Sequence, residues 1–200
     1  MGIIRLTLEE REELIYRQYQ EIIAPFIVEL EVRDKEYPIE IFNEIRSIFT
    51  HLSRYKIQGS ESDVMSAENH TKRAILDCFK YLCISIAERI DMFRQDYRKV
   101  DLKLANNGEF LPKLDKLEDK ARKAYVTAKK AEIEKKGDGE LYELYELAYN
   151  EYSELDKILD DSQEAILFAS THSKKSEIVN IVSCTITIIS IIITIIACVV

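Results

Sequence analysis

Arg46 and His51 stand five residues apart in the segment Asn43-Glu44-Ile45-Arg46-Ser47-Ile48-Phe49-Thr50-His51. An imidazole moves protons near neutral pH, and a guanidinium holds negative charge. A second polar group follows in Asn69-His70-Thr71-Lys72-Arg73, with Asp77 seven residues after His70. If the helices carrying the two groups run antiparallel about a turn at Gly59, His51 and His70 lie at comparable distances from it. His51, His70, Arg73 and Glu44 then share one pocket, with Asp77 close by. Such a cluster has two readings: a ligand or catalytic site, or an interhelical polar contact in which carboxylates satisfy the imidazoles.

The Arg, four residues, then His, resembles the Arg-x4-6-His signature of the HEPN superfamily, small all-helical domains many of which cut RNA as dimers. The resemblance covers Pro38 to near Cys83. It implies that Arg46 and His51 are the catalytic pair, assisted by Asn43 or Glu44. The implied reaction is metal-independent attack of a ribose 2′-hydroxyl on the adjacent phosphate. Five residues of helix separate the two side chains by about 140°. They converge only if the helix distorts or a second protomer completes the site. The family's motif also sits later in its bundle, whereas this one falls on the second predicted helix.

No other catalytic pattern is present: no Gly-rich phosphate loop, no Walker sequence and no GxSxG. The cysteines are Cys78, Cys83, Cys184 and Cys198, and the histidines are His51, His70 and His172. Their spacing suits no common zinc site, so no metal and no cofactor is expected. The net charge of −8 argues against a nucleic-acid surface covering the whole chain.

Helical periodicity dominates the elements that must position these residues. Thr7-Leu8-Glu9-Glu10 reads as a capping box opening a first helix, which Pro25 should kink or split. A second helix starts near Pro38, with a seam of Ile41, Ile45, Ile48, Leu52 and Tyr55, and ends at Gln58-Gly59-Ser60. A long third helix is predicted over 62–105, closed by Asn106-Asn107-Gly108. A fourth covers 112–136 and a fifth 140–171. The fifth carries a heptad of Leu141, Tyr145, Ala148, Tyr152, Leu155, Leu159, Ser162, Ile166 and Ala169. The segment 113–136 holds nine basic and five acidic residues, and 140–164 holds nine acidic and one basic. Opposite charge on consecutive helices predicts a charge-matched hairpin, and favours it over an RNA-binding stripe around Tyr125.

The segment from Ile178 to Val200 contains no charged side chain. As a helix it would span about 34 Å, against a hydrocarbon core of roughly 30 Å. Lys174 and Lys175 precede it on the side the positive-inside rule makes cytosolic. Asn180, Ser183, Thr187, Ser190, Thr194 and Ala197 recur at spacings of three and four, as one polar or small stripe. Such a stripe favours a partner helix or a water-filled lumen. Gly2 invites a lipidation reading, but Leu6 replaces the Ser or Thr that signal needs.

The expectation is an all-α protein: an elongated antiparallel helical bundle of about five helices over residues 1–173, cytosolic, and one C-terminal transmembrane helix over 174–200. In layout the chain resembles bacterial antiviral-defence effectors that join a degenerate HEPN-like domain to a membrane helix. That resemblance implies an oligomeric, pore-forming or membrane-disrupting effector. Its expected partners are the lipid bilayer, further copies of itself through the membrane helix, an activating partner and RNA. The alternatives are a membrane-tethered HEPN-type ribonuclease and a tail-anchored tethering protein.

Overall fold

The computed structural model describes residues 6–35 and 37–199, with the side chains of 138, 177 and 191–199 set aside. It is all-helical, with no strand among the described residues. Its order is α1 (Leu8–Gln18), a π-helical turn (Tyr19–Ile23), α2 (Ala24–Asp34), α3 (Ile39–Gln58), α4 (Glu61–Asp96), a 3-10 segment (Leu102–Gly108), α5 (Phe110–Ile133), α6 (Asp138–Asp161) and α7 (Gln163–Val199).

Local chemistry explains most boundaries. The capping box opens α1: the Glu10 amide donates to Thr7 Oγ1 at 3.2 Å and the Thr7 amide to Glu10 Oε2 at 2.7 Å. Pro25, in the first turn of α2, has no N–H to donate, and the helix widens into the π turn just before it. Gly59 closes α3 at φ 70°, left-handed, with its amide donating to the Tyr55 carbonyl at 2.8 Å.

The chain forms two compact units, residues 1–89 with 118–154, and residues 90–117 with 155–200. The first has an apolar core that includes Ile15, Ile23, Leu30, Ile41, Ile48, Leu52, Ile75, Leu82 and Tyr145, all essentially inaccessible. Phe26, Phe79 and Tyr149 meet in it edge-on or tilted, with centroids 5.0 to 5.7 Å apart. In the second unit Leu102, Ala105, Phe110, Leu114, Leu159, Ile166 and Ala169 are buried, and Phe93 meets Phe110 edge-on at 5.8 Å. All nine residues of the predicted heptad are buried. Ion pairs join the acidic and basic segments in the first unit, among them Lys120 Nζ to Glu151 Oε1 at 2.7 Å and Lys136 Nζ to Glu140 Oε1 at 2.5 Å.

Two expectations are corrected. Among the described residues seven α-helices replace about five, because the first predicted helix divides at the π turn and the fifth breaks at Ser162; the third ends early, at Asp96. The expected C-terminal transmembrane helix is also overturned: among the described residues no helix is long and apolar enough to cross a membrane. Lys174 and Lys175 interrupt α7 between buried Ile166 and Ala169 and the uncharged stretch that begins at Ile178. Thr194 and Ala197 of the predicted stripe lie outside the described side chains, and Gly2 lies outside the described residues.

Candidate functional site

Within the first unit, α3 and α4 form an antiparallel hairpin about Gly59, and their polar residues meet in a crossed pattern. His51 on α3 bonds Asp63 on α4, with Nδ1 to Oδ1 at 2.6 Å. His70 on α4 bonds Glu44 on α3, with Nδ1 to Oε2 at 2.6 Å. The two imidazoles stack between these bonds, with centroids 5.3 Å apart and planes inclined by 20°. The side chains of His51 and Asp63 are 22% and 15% exposed, and those of His70 and Glu44 are 22% and 21% exposed.

The crossing follows from spacing. Glu44 and His51 are seven residues apart, as are Asp63 and His70, so on each helix a carboxylate and an imidazole share one face. Antiparallel pairing then sets each imidazole against the other helix's carboxylate. The hydrogen bond from His51 is the main reason the Asp63 carboxyl lies below the usual carboxylate range. It outweighs burial, which pushes upward, and Ser60 assists it. An ionised carboxylate only accepts, so His51 Nδ1–H is the donor. A carboxylate that orients an imidazole in this way is the arrangement of a general base.

The remaining predicted residues fall elsewhere. Arg46 is exposed on α3, and its carbonyl accepts the Thr50 hydroxyl at 2.8 Å. The structure does not bring Arg46 and His51 together: α3 is regular through both, so their side chains point about 140° apart. Asn43 and Arg73 are exposed. Asp77 is half-buried with Lys80 Nζ at 3.4 Å, and burial pushes its carboxyl upward, aided by the charge of Glu44. Asp63, absent from the predicted set, was legible in the repeated spacing of seven. Among the described residues no group of three or more His, Cys, Asp or Glu could hold a metal ion.

A second network in this unit was also missed. Glu132 on α5 accepts from Lys80 Nζ at 2.6 Å and from the hydroxyl of fully buried Tyr145 at 2.6 Å. Burial pushes the Glu132 carboxyl upward, but the bonds from Lys80 and Tyr145 prevail and bring it down to about 2. Cys78 and Cys83 are buried, which pushes both thiols up to about 12 and makes them poor nucleophiles.

In the second unit, the predicted stripe begins with Asn180, Ser183, Thr187 and Ser190 on the exposed part of α7. The Thr187 and Ser190 hydroxyls return to the carbonyls of Ser183 and Ile186, each at 2.9 Å. Alongside them Ile178, Val179, Ile181, Val182, Ile186, Ile188 and Ile189 are each more than half exposed. No family model, curated protein or solved structure matches this chain.

Proposed function

We propose that this chain is a self-assembling helical effector, in which α7 joins copies of the protein. The observation that carries this reading is the exposure of seven Ile and Val side chains between 178 and 189. A helix that is apolar all round belongs in an apolar environment. The occupant is a second copy of the same segment. Residues 178–190 carry no charge, so two copies meet there without the repulsion that a net charge of −8 imposes elsewhere. The stripe supplies small side chains that let backbones approach. Two of its hydroxyls are already satisfied internally and can be buried at little cost. An oligomeric effector of antiviral defence would use this assembly as its output.

Sedimentation of the full chain tests the reading. Wild type and Ile181→Leu/Ile188→Leu should sediment as oligomers, and Ile181→Glu/Ile188→Glu as a monomer. Wild type that is monomeric in buffer, or monomeric on vesicles, overturns it.

A second reading rests on the His51–Asp63 dyad, which suits a metal-independent ribonuclease of the kind the HEPN resemblance implies. Labelled RNA incubated with wild type should yield 2′,3′-cyclic phosphate ends, lost in His51→Ala. Wild type that leaves RNA intact removes this reading.

A further inference from the structure

The second unit holds an open cleft of about 770 Å³ between the turn that follows α4 and the middle of α7. Its polar lining is Lys99, Asp101, His172, Ser173, Ser176 and Asn180. The walls are tied together: the Asp101 amide donates to Ser173 Oγ at 2.8 Å, so the turn is anchored to the helix. The one carboxylate in the lining, Asp101, is engaged within its own turn, where its Oδ1 accepts from the Lys103 amide at 3.2 Å.

The cleft lies in the most cationic stretch of its unit. Segments 96–104 and 172–177 together hold five Lys or Arg (Arg98, Lys99, Lys103, Lys174, Lys175) and His172, against Asp96, Asp101 and Glu177. The five cations are exposed or line the cleft, and none is ion-paired among the described residues. This is a local reversal of sign in a chain of net charge −8. Around the charge stand neutral donors, the hydroxyl of Ser176 and the amide of Asn180. Lys99 lines the cleft and the other four cations surround it; a cation with neutral donors beside it on one cavity is what a phosphate oxyanion requires.

The far rim is apolar. Leu104 and Ile181 close it, and the exposed Ile and Val side chains of α7 begin at Ile178. We propose that this cleft is a binding site for a phosphate group, carried by a phospholipid headgroup or by a soluble phosphate ester. A headgroup would place its phosphate against Lys99 and His172 and its chains along the apolar side of α7. A soluble ester would use the polar half alone. Lys99 and His172 lie outside the segment proposed to join copies, and Asn180 and Ile181 are shared with it.

The test uses the full chain with two probes: phosphatidylcholine vesicles with and without phosphatidic acid, read by flotation, and glycerol 3-phosphate, read by calorimetry. The variants are Lys99→Ala/His172→Ala in the cleft and Asn180→Leu at its rim. The control, Lys116→Ala/Lys130→Ala, removes exposed charge outside the cleft. Circular dichroism verifies that each folds. Binding only to vesicles containing phosphatidic acid identifies the headgroup, and binding of glycerol 3-phosphate identifies the soluble ester. In either case Lys99→Ala/His172→Ala should lose at least about fivefold in affinity, since a cation beside an anionic surface is worth roughly a factor of five. Asn180→Leu should weaken binding without changing net charge. Binding to neither probe overturns the proposal. So does an equal loss in the control, which would mean that overall charge, and not the cleft, attracts the anion.

Discussion

Replacing His70 with Ala tests whether the crossed imidazoles hold α3 to α4. The substitution removes the bond to Glu44 and the stack on His51. The Glu44 side chain is only 21% exposed, so its carboxylate is left largely out of water without its donor. An orphaned acceptor of this kind costs about 1 to 3 kcal/mol. Loss of the ring stack adds about 0.5 to 1.5 kcal/mol. The expected destabilisation is therefore about 1.5 to 4.5 kcal/mol. Glu44→Gln keeps an acceptor of the same shape and should cost less than about 1 kcal/mol. The double variant His70→Ala/Glu44→Ala has no orphan, so its cost should fall short of the sum of the two alanine variants by about 1 kcal/mol or more. Urea unfolding followed by far-ultraviolet circular dichroism measures all of these, with unchanged m-values confirming a two-state comparison. A His70→Ala variant within about 0.5 kcal/mol of wild type, or a strictly additive cycle, would mean that the imidazoles do not hold α3 to α4.

The acid limb of stability should carry the same signature. The folded Asp63 carboxyl lies below its unfolded value, so its contribution is complete above pH about 4 and is lost as pH falls through the depressed folded value. His51→Ala should therefore flatten the fall of melting temperature below pH about 4, and an unchanged slope would count against the dyad. Glu132 has the same sign, with its contribution lost as pH drops towards about 2. Tyr145→Phe deletes a buried hydrogen bond to that carboxylate and should cost about 1.5 to 3 kcal/mol in denaturant unfolding. Asn107 is left-handed at φ 54°, so Asn107→Val should cost about 1 to 2 kcal/mol while Asn107→Gly leaves the melting temperature level or higher.

Local rules made much of the fold legible. Thr7 and Glu10 are close enough in sequence to cap α1 without help from elsewhere, and Gly59 supplies its own left-handed turn. The heptad from Leu141 to Ala169 was readable because burying one helical face imposes a period, whatever the partner. The helix ends were less legible. Asp96 ends α4 in mid-pattern, because the apolar repeat continues through Tyr97 and Val100 while the backbone turns away to form the 3-10 segment. Ser162 sits in phase with the heptad and is buried, yet the helix breaks there and Asn106 Nδ2 donates to its hydroxyl at 3.3 Å.

The candidate site divides in the same way. Spacing alone put Glu44 beside His51 on one helical face and Asp63 beside His70 on another, because a turn of 3.6 residues nearly superposes positions seven apart. It also set Arg46 on a different side from His51. What it could not supply was the vertical register of α3 against α4, which decides that each imidazole meets the opposite helix's carboxylate and that the two rings stack. That register is set in the first unit's core, where Ile41, Ile48 and Leu52 of α3 are buried in one cluster with Ala67, Ala74 and Ile75 of α4, a long-range fit that no local pattern encodes. The phosphate cleft is of the same kind. Lys99 and His172 lie seventy-three positions apart in sequence. The second unit brings the turn after α4 against α7, and only that packing sets them around one cavity.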